Sequence, residues 1–304
     1  GAAAGLPGPY CASFLTDQQN RLFASTHTAR GETILNRLDG APGAPFRINI
    51  PPRIVGRGWG TAQLSMQDHD GDWWIPTGQG LVRFTGKRKA EDLAAATPVA
   101  VYTVKDGLTS DDIYRIFEDS RGDIWVAANG LVRFVRSQGR FVLENPDGPS
   151  AFGEDGAGNT WVGFWSGDLL RYRGESPELF TARDGVPVGT IQSIFPDRRG
   201  RLWIGSADGG VARVDDPGAP RPVFTRATPA EGLSSRQVNC ITEDAWGRIY
   251  LGTGRGVDRL DAERGHVRHF TTADGLAGSE IILCAADRTG ALWFSSQAGV
   301  SKLV

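Results

Sequence analysis

The stretch Ile113-Tyr114-Arg115-Ile116-Phe117, followed by Asp119, Gly122 and then Ile124-Trp125-Val126, spells out a β-hairpin. Both flanks are rich in β-branched and aromatic residues, the composition of strands. Asp at the first turn position can accept hydrogen bonds from the turn's own amides. Gly three residues later takes the positive φ that the reversal needs. The aromatic that follows lies on the second strand.

The same Asp-x-x-Gly-x-x-aromatic pattern recurs along the chain. It is found at Asp68, Gly71 and Trp74, at Asp155, Gly158 and Trp161, and at Asp197, Gly200 and Trp203. Further copies are Asp244, Gly247 and Tyr250, and Asp287, Gly290 and Trp293. A degenerate copy stands at the front, Asp17, Asn20 and Phe23, in which Asn replaces Gly as a residue that tolerates left-handed backbone. From Asn20 to Gly290 the steps are 51, 51, 36, 42, 47 and 43 residues, with a mean of 45. That is the period of one propeller blade. The sequence therefore predicts an all-β, seven-bladed β-propeller of four-stranded antiparallel blades, one domain over residues 1–304. Its turns fall near Asn20, Gly71, Gly122, Gly158, Gly200, Gly247 and Gly290. The repeat aromatics are expected between adjacent blades, each burying on the order of 150–250 Å².

A third strand carries Gly-apolar-x-basic-apolar, as in Gly130-Leu131-Val132-Arg133-Phe134. Its basic residues are Arg37, Arg83, Arg133, Arg171, Arg213, Arg259 and Lys302. A charge repeated in every blade is expected to be architectural, paired with turn aspartates or carbonyls on the face that carries the turns. Outer strands are read at Phe141-Val142-Leu143, Leu179-Phe180-Thr181 and Val267-Arg268-His269-Phe270. Several are followed by Asp-Gly-Leu or a variant, such as Asp106-Gly107-Leu108, whose apolar residue is expected to wedge between blades. Only 14 residues follow Gly290, so the last blade is expected to have three strands. Residues before Tyr10 could add a fourth, but Gly1–Pro9 is rich in Gly and Pro and makes a poor strand.

The bulk properties narrow the partners. A formal net charge of -2 and a pI of about 6.1 give no basis for binding nucleic acid or an anionic membrane. The short basic cluster Lys87-Arg88-Lys89 reads as a solvated loop. No apolar run approaches the ~20 residues of a membrane span. The three cysteines, Cys11, Cys240 and Cys284, allow at most one internal disulfide and leave its existence open. The opening Gly1-Ala2-Ala3-Ala4-Gly5 and the end at Val304 on a third strand read as cuts in a longer protein.

Residues 232–252 and 185–205, with 107–127 and 275–295, closely resemble the two-component regulator propeller repeat. The resemblance is strong from about residue 99 onward and weak over the first two blades. It implies the periplasmic or extracytoplasmic sensor region of a bacterial hybrid histidine kinase. Immunoglobulin-like and kinase domains would then follow in the parent protein, and any kinase activity would lie outside this chain. Blades of this kind also occur in streptogramin B lyases, so a propeller lyase acting on a cyclic peptide or polysaccharide is the alternative.

Propellers bind ligands where second-to-third strand loops and blade-to-blade links converge. The residues there that the repeat does not explain are the candidates. They are Arg57 and Trp59 entering blade 2, Phe164 and Trp165 in the loop of blade 4, and Asp208 in that of blade 5. Arg236, Gln237 and Asn239 enter blade 6, Arg255 stands in its loop, and Glu280 enters blade 7. Aromatics beside Arg, Asn and Gln suit a small polar molecule or an oligosaccharide. No cofactor motif or metal-ligand spacing is present, and a homodimer is compatible with this reading. Of the four histidines, His27 alone falls toward this face. His69 falls in a turn, and His266 and His269 at the rim, so no catalytic residue is assigned and a non-enzymatic role is expected.

Overall fold

The computed structural model describes residues 11, 13–27, 33–39, 46–47, 63–86, 89–174, 176–261 and 266–304. It contains seven antiparallel sheets, one per sequence repeat, and the fold is a seven-bladed all-β propeller. Arg57, Trp59, Lys87, Arg88 and the segment before Cys11 lie outside the described residues.

The chain divides into two compact units. The first holds blades 1 to 3. Blade 1 comprises Ser13–Thr16, Leu22–His27, Thr33–Arg37 and Phe46–Arg47, and blade 2 comprises Met66–Gln67, Trp73–Thr77, Gly80–Phe84 and Ala100–Tyr102. Blade 3 comprises Arg115–Glu118, Ile124–Ala127, Leu131–Val135 and Arg140–Asn145. The second unit holds blades 4 to 7. Blade 4 runs Pro149–Glu154, Thr160–Phe164, Leu169–Arg173 and Ser176–Phe180, and blade 5 runs Ile191–Pro196, Leu202–Ser206, Val211–Val214 and Phe224–Ala227. Blade 6 runs Val238–Glu243, Ile249–Thr253, Gly256–Leu260 and Val267–Phe270. Blade 7 has three strands among the described residues, Ile281–Ala286, Leu292–Ser296 and Gly299–Leu303.

Each Asp-x-x-Gly turn does more than reverse the chain. Asp119 Oδ1 accepts the amides of Arg121 and Asp123 at 3.0 Å each, and Oδ2 accepts the indole N–H of Trp125 at 3.0 Å. Asp68, Asp155 and Asp197 hold Trp74, Trp161 and Trp203 in the same way, at 2.8–2.9 Å. Asp244 takes the Tyr250 hydroxyl at 3.2 Å. In blade 1, Phe23 has no donor to offer; Arg21 Nε bonds Asp17 Oδ2 at 2.6 Å, as Arg201 Nε bonds Asp197 Oδ2 at 2.6 Å beside Trp203 in blade 5. Asn20 adopts φ 55°, as its substitution for Gly requires.

The repeat aromatics form the cores between blades within each unit. Trp74 of blade 2 packs with Ile113 and Ile116 of blade 3. Trp161 meets Ile191 and Ile194 of blade 5, Trp203 meets Val238 and Ile241 of blade 6, and Tyr250 meets Ile281 and Phe294 of blade 7. The expected wedges are in place as well, since Leu108, Val186 and Leu233 are buried in these clusters. They follow one-turn 3₁₀ segments such as Val104–Asp106, closed by Thr103 bonding to Asp106. Gly107 ends that turn at φ 101°, where a Cβ would stand 2.1 Å from the Phe141 carbonyl oxygen.

The basic series is architectural. The expected carbonyl partners are found at Arg171, which donates to the Pro217 and Ala219 carbonyls at 2.6 and 2.8 Å, and at Arg37. The ring opposite and other carboxylates take the place of the Asp-x-x-Gly aspartates. Strand register sets each member directly opposite its repeat aromatic, as in Arg83 and Trp74, Arg133 and Trp125, or Lys302 and Trp293. The cation lies 4.9–5.9 Å from the ring in five blades, a cation–π arrangement. Carboxylates complete the shell, but they are not those of the Asp-x-x-Gly aspartates. Asp39, Asp72, Asp123, Glu178 and Asp215 serve Arg37, Arg83, Arg133, Arg171 and Arg213. The turn aspartates take their own amides and the indole, and in several blades an arginine near the turn as well, such as Arg121 on Asp119 at 2.7 Å and Arg201 on Asp197 at 2.6 Å.

Candidate ligand-binding face

In the second unit, the loops at the far ends of the second strands, opposite the Asp-x-x-Gly turns, form a hydrogen-bonded row. It starts at the blade 4 loop, where the Trp165 carbonyl accepts the Thr190 hydroxyl at 3.0 Å. The Asp208 carboxylate of the blade 5 loop lies against Gly189, where a Cβ would come within 2.5 Å of Oδ2. The Gly210 amide donates to the Arg236 carbonyl at 2.8 Å, joining that loop to the link entering blade 6. Gln237 Nε2 then donates to Asn239 Oδ1 at 3.2 Å and to Glu280 Oε1 at 3.3 Å. Asn239 Nδ2 reaches the Ile281 carbonyl at 2.8 Å, and the Gly254 amide returns to the Gln237 carbonyl at 3.3 Å.

These contacts sort the candidates. Trp165 is 52% exposed, and Asp208, Arg236, Arg255 and Glu280 are also exposed. Gln237 and Asn239 are half-buried and held by bonds across the blade 6–7 boundary. Phe164 is buried, so its ring supports the loop and Trp165 is the one presented to solvent. A Trp with half its surface in water and no structural hydrogen bond on its ring is a ready stacking platform. The exposed charges are two guanidinium groups, Arg236 and Arg255, and two carboxylates, Asp208 and Glu280.

Cys240 and Cys284, on the first strands of blades 6 and 7, are joined by a disulfide. Their separation of 44 residues is close to one blade period, which sets equivalent positions of neighbouring strands side by side. The bond sits one residue beyond Asn239 and pins the strand starts that carry Gln237, Asn239 and Glu280. Cys11 is buried, and its thiol donates to the Ser13 carbonyl at 3.4 Å.

Two groups escaped the sequence reading. Arg115, on the first strand of blade 3, is buried, and no carboxylate among the described residues pairs with it. Burial pushes its pKa down to about 10. The alternation of its strand could have marked it, since Ile113 and Arg115 share a face. Asp258 is fully buried in the third strand of blade 6, where its Oδ1 meets His269 Nδ1 at 2.7 Å and its Oδ2 accepts the Ser234 amide at 2.7 Å. This His–Asp pair was hidden because only register brings the two residues opposite each other. Ser234 does not complete a nucleophilic triad: its hydroxyl faces Thr253 Oγ1 at 3.1 Å. Among the described residues no group of His, Cys, Asp and Glu could hold a metal ion, and no helix is long and apolar enough to cross a membrane.

The fold defines the class: a seven-bladed β-propeller. The two-component regulator propeller family matches residues 107–130, 185–208 and 232–255, which enter blades 3, 5 and 6. Among solved structures, the chain resembles an extracellular domain assigned to the hybrid two-component system BT3049 of B. thetaiotaomicron. That match has a TM-score of 0.75 and 17% identity, and covers 98% of this chain and 39% of the other. PorZ of Porphyromonas gingivalis, a surface component of the type-IX secretion system, matches with TM-score 0.72 and 16% identity over 98% of this chain and 47% of its own. Virginiamycin B lyase of Staphylococcus aureus, an inactive variant with quinupristin, matches with TM-score 0.71 and 15% identity over 100% of this chain and 99% of its own. The chain thus spans less than half the length of the first two. No curated protein matches it in sequence.

Proposed function

We propose that this chain is the ligand-binding sensor propeller of a two-component signalling protein, located outside the cytoplasm. The loop row of blades 4 to 7 would be its receptor surface, and the ligand an oligosaccharide or another polar ring-bearing molecule. One observation carries the reading: Trp165, Arg236 and Arg255 are exposed on a row that the blade repeat does not need. The sensor-type repeats in three blades and the likeness to an extracellular two-component domain support it. Signal would pass from here to immunoglobulin-like and kinase domains of the parent protein.

A thermal-shift screen of oligosaccharides and small metabolites tests the proposal. A stabilising ligand should lose its shift in Trp165→Ala and Arg236→Ala, both of which alter exposed side chains. A ligand whose shift is the same in both variants would place the receptor surface elsewhere. The lyase reading rests on near-complete coverage of the S. aureus enzyme. It predicts a change in the mass spectrum of quinupristin after incubation with the chain, whereas the sensor reading predicts none.

A further inference from the structure

Three arginines among the described residues are buried: Arg21, Arg115 and Arg171. Two of them are provided for. Arg21 pairs with Asp17 and Glu91, and Arg171 meets Glu178 and the Pro217 and Ala219 carbonyls. Arg115, only 7% exposed, has no ion pair and no side-chain hydrogen bond among the described residues. Burial alone sets its pKa at about 10, with no neighbouring charge to offset the effect. The guanidinium is thus still a cation at neutral pH.

The blade repeat does not ask for an arginine here. Counting four residues back from each turn aspartate gives Ser13, Leu64, Arg115, Ala151, Ser193, Cys240 and Leu283. Six of these are small or apolar, and only Arg115 carries a charge. Nor does the neighbouring sequence answer it. The Ile116 amide donates to the Gln63 carbonyl at 2.7 Å, and the sequence leading into Gln63, 48–62, holds Arg53 and Arg57 but no acid.

Register sets Arg115 opposite Ala127, the last residue of the second strand of blade 3. That puts it at the loop end of its strand, where the exposed Asn129 accepts the Tyr114 hydroxyl at 2.8 Å. A cation buried without a partner is strongly unfavourable, and nothing among the described residues compensates it. A guanidinium presents a planar fork that matches a carboxylate, sulfate or phosphate with two parallel bonds. We infer that Arg115 is the receptor group for a small oxyanion bound at the loop end of the first strand of blade 3. The site belongs to the first compact unit and shares no residue with the loop row of blades 4 to 7.

Titration calorimetry of the whole chain at constant ionic strength in chloride, with sodium acetate, sulfate and phosphate as probes, tests this. At least one should bind saturably at one site per chain, and the tightest identifies the headgroup. Arg115→Gln should weaken that anion about tenfold or more. Arg115→Lys keeps the charge but loses the fork, so it should also bind more weakly, and it carries the test if the Gln variant does not fold. Sulfate and phosphate stabilise folded proteins in general, so melting temperatures are read as a difference between the parent and Arg115→Met. The anion should raise the parent's melting temperature more than the variant's, and in chloride alone the variant should melt no lower than the parent. Trp165→Ala should leave anion binding unchanged, which separates this site from the loop row. The inference fails if no probe binds saturably to the unmodified chain, or if binding is undiminished in the Arg115 variants. An Arg115→Met variant that melts well below the parent in chloride would mean that the chain itself supplies the partner, and would overturn it too.

Discussion

The indole N–H of Trp125 and the amides of Arg121 and Asp123 converge on the two oxygens of Asp119, each at 3.0 Å. One carboxylate thereby ties the tight turn of a blade to the aromatic on its second strand. Burial alone would raise the Asp119 pKa, but the bonds from Trp125 and Arg121 outweigh it and hold the group below its ordinary value.

Asp119→Ala should lower stability by about 2–4 kcal/mol, because it strands a buried indole N–H and two turn amides. Since the folded pKa is depressed, the stabilisation is complete above the ordinary carboxyl value of 3.8 and is lost as pH falls through the lower folded value. Urea melts of the variant and parent at neutral pH and in the acid range measure both effects. Equal stability of the two at neutral pH would refute this role.

The disulfide should matter to stability and to the loop row. Closing a loop of 44 residues is worth about 4 kcal/mol in the chain-entropy account. Cys284→Ser, or reduction, should therefore lower the melting temperature, and amide exchange should quicken first around Gln237 and Glu280. Mass measurement before and after alkylation checks that the bond forms.

His69 and Glu118 make a pH-sensitive contact between blades 2 and 3. The ring Nδ1 is 2.5 Å from Glu118 Oε1, and the His69 amide donates to Oε2 at 2.8 Å. The hydrogen bond to Glu118 raises the imidazole pKa above 6.5, and burial raises the Glu118 pKa in turn. The contact is complete below 6.5, where the ring is charged, as long as Glu118 is ionised, and it weakens as pH rises through the folded His69 value or falls through the raised Glu118 value. In an NMR titration His69 should turn over above 6.5, and Glu118→Gln should bring it down. A midpoint at or below that value in the parent chain would contradict the pairing.

Much of the fold was legible because one turn motif carries it. Asp119, Gly122 and Trp125 each have a local job, so the repeat, its count and the positive φ of Asn20 can all be read from spacing. The partners of the basic series were not, because Arg133 meets Trp125 only through strand register, and the turn aspartates turn out to be fully occupied. Arg115 and Asp258 hid for a related reason: burial and cross-strand pairing are properties of the sheet, not of the stretch of chain. The loop candidates from Trp165 to Glu280 do fall along one row. Phe164 shows the limit of position alone, since its neighbour is exposed and it is not.

The shared aspartate also divides the labour along each strand. At one end, the aromatic and the turn answer to the same carboxylate, as Trp125 and the amides of Arg121 and Asp123 do on Asp119. At the other end, the exposed loop side chains carry no such obligation. A blade can therefore acquire new recognition chemistry without renegotiating its foundations, and a designer grafting loops onto this scaffold should work from that end only.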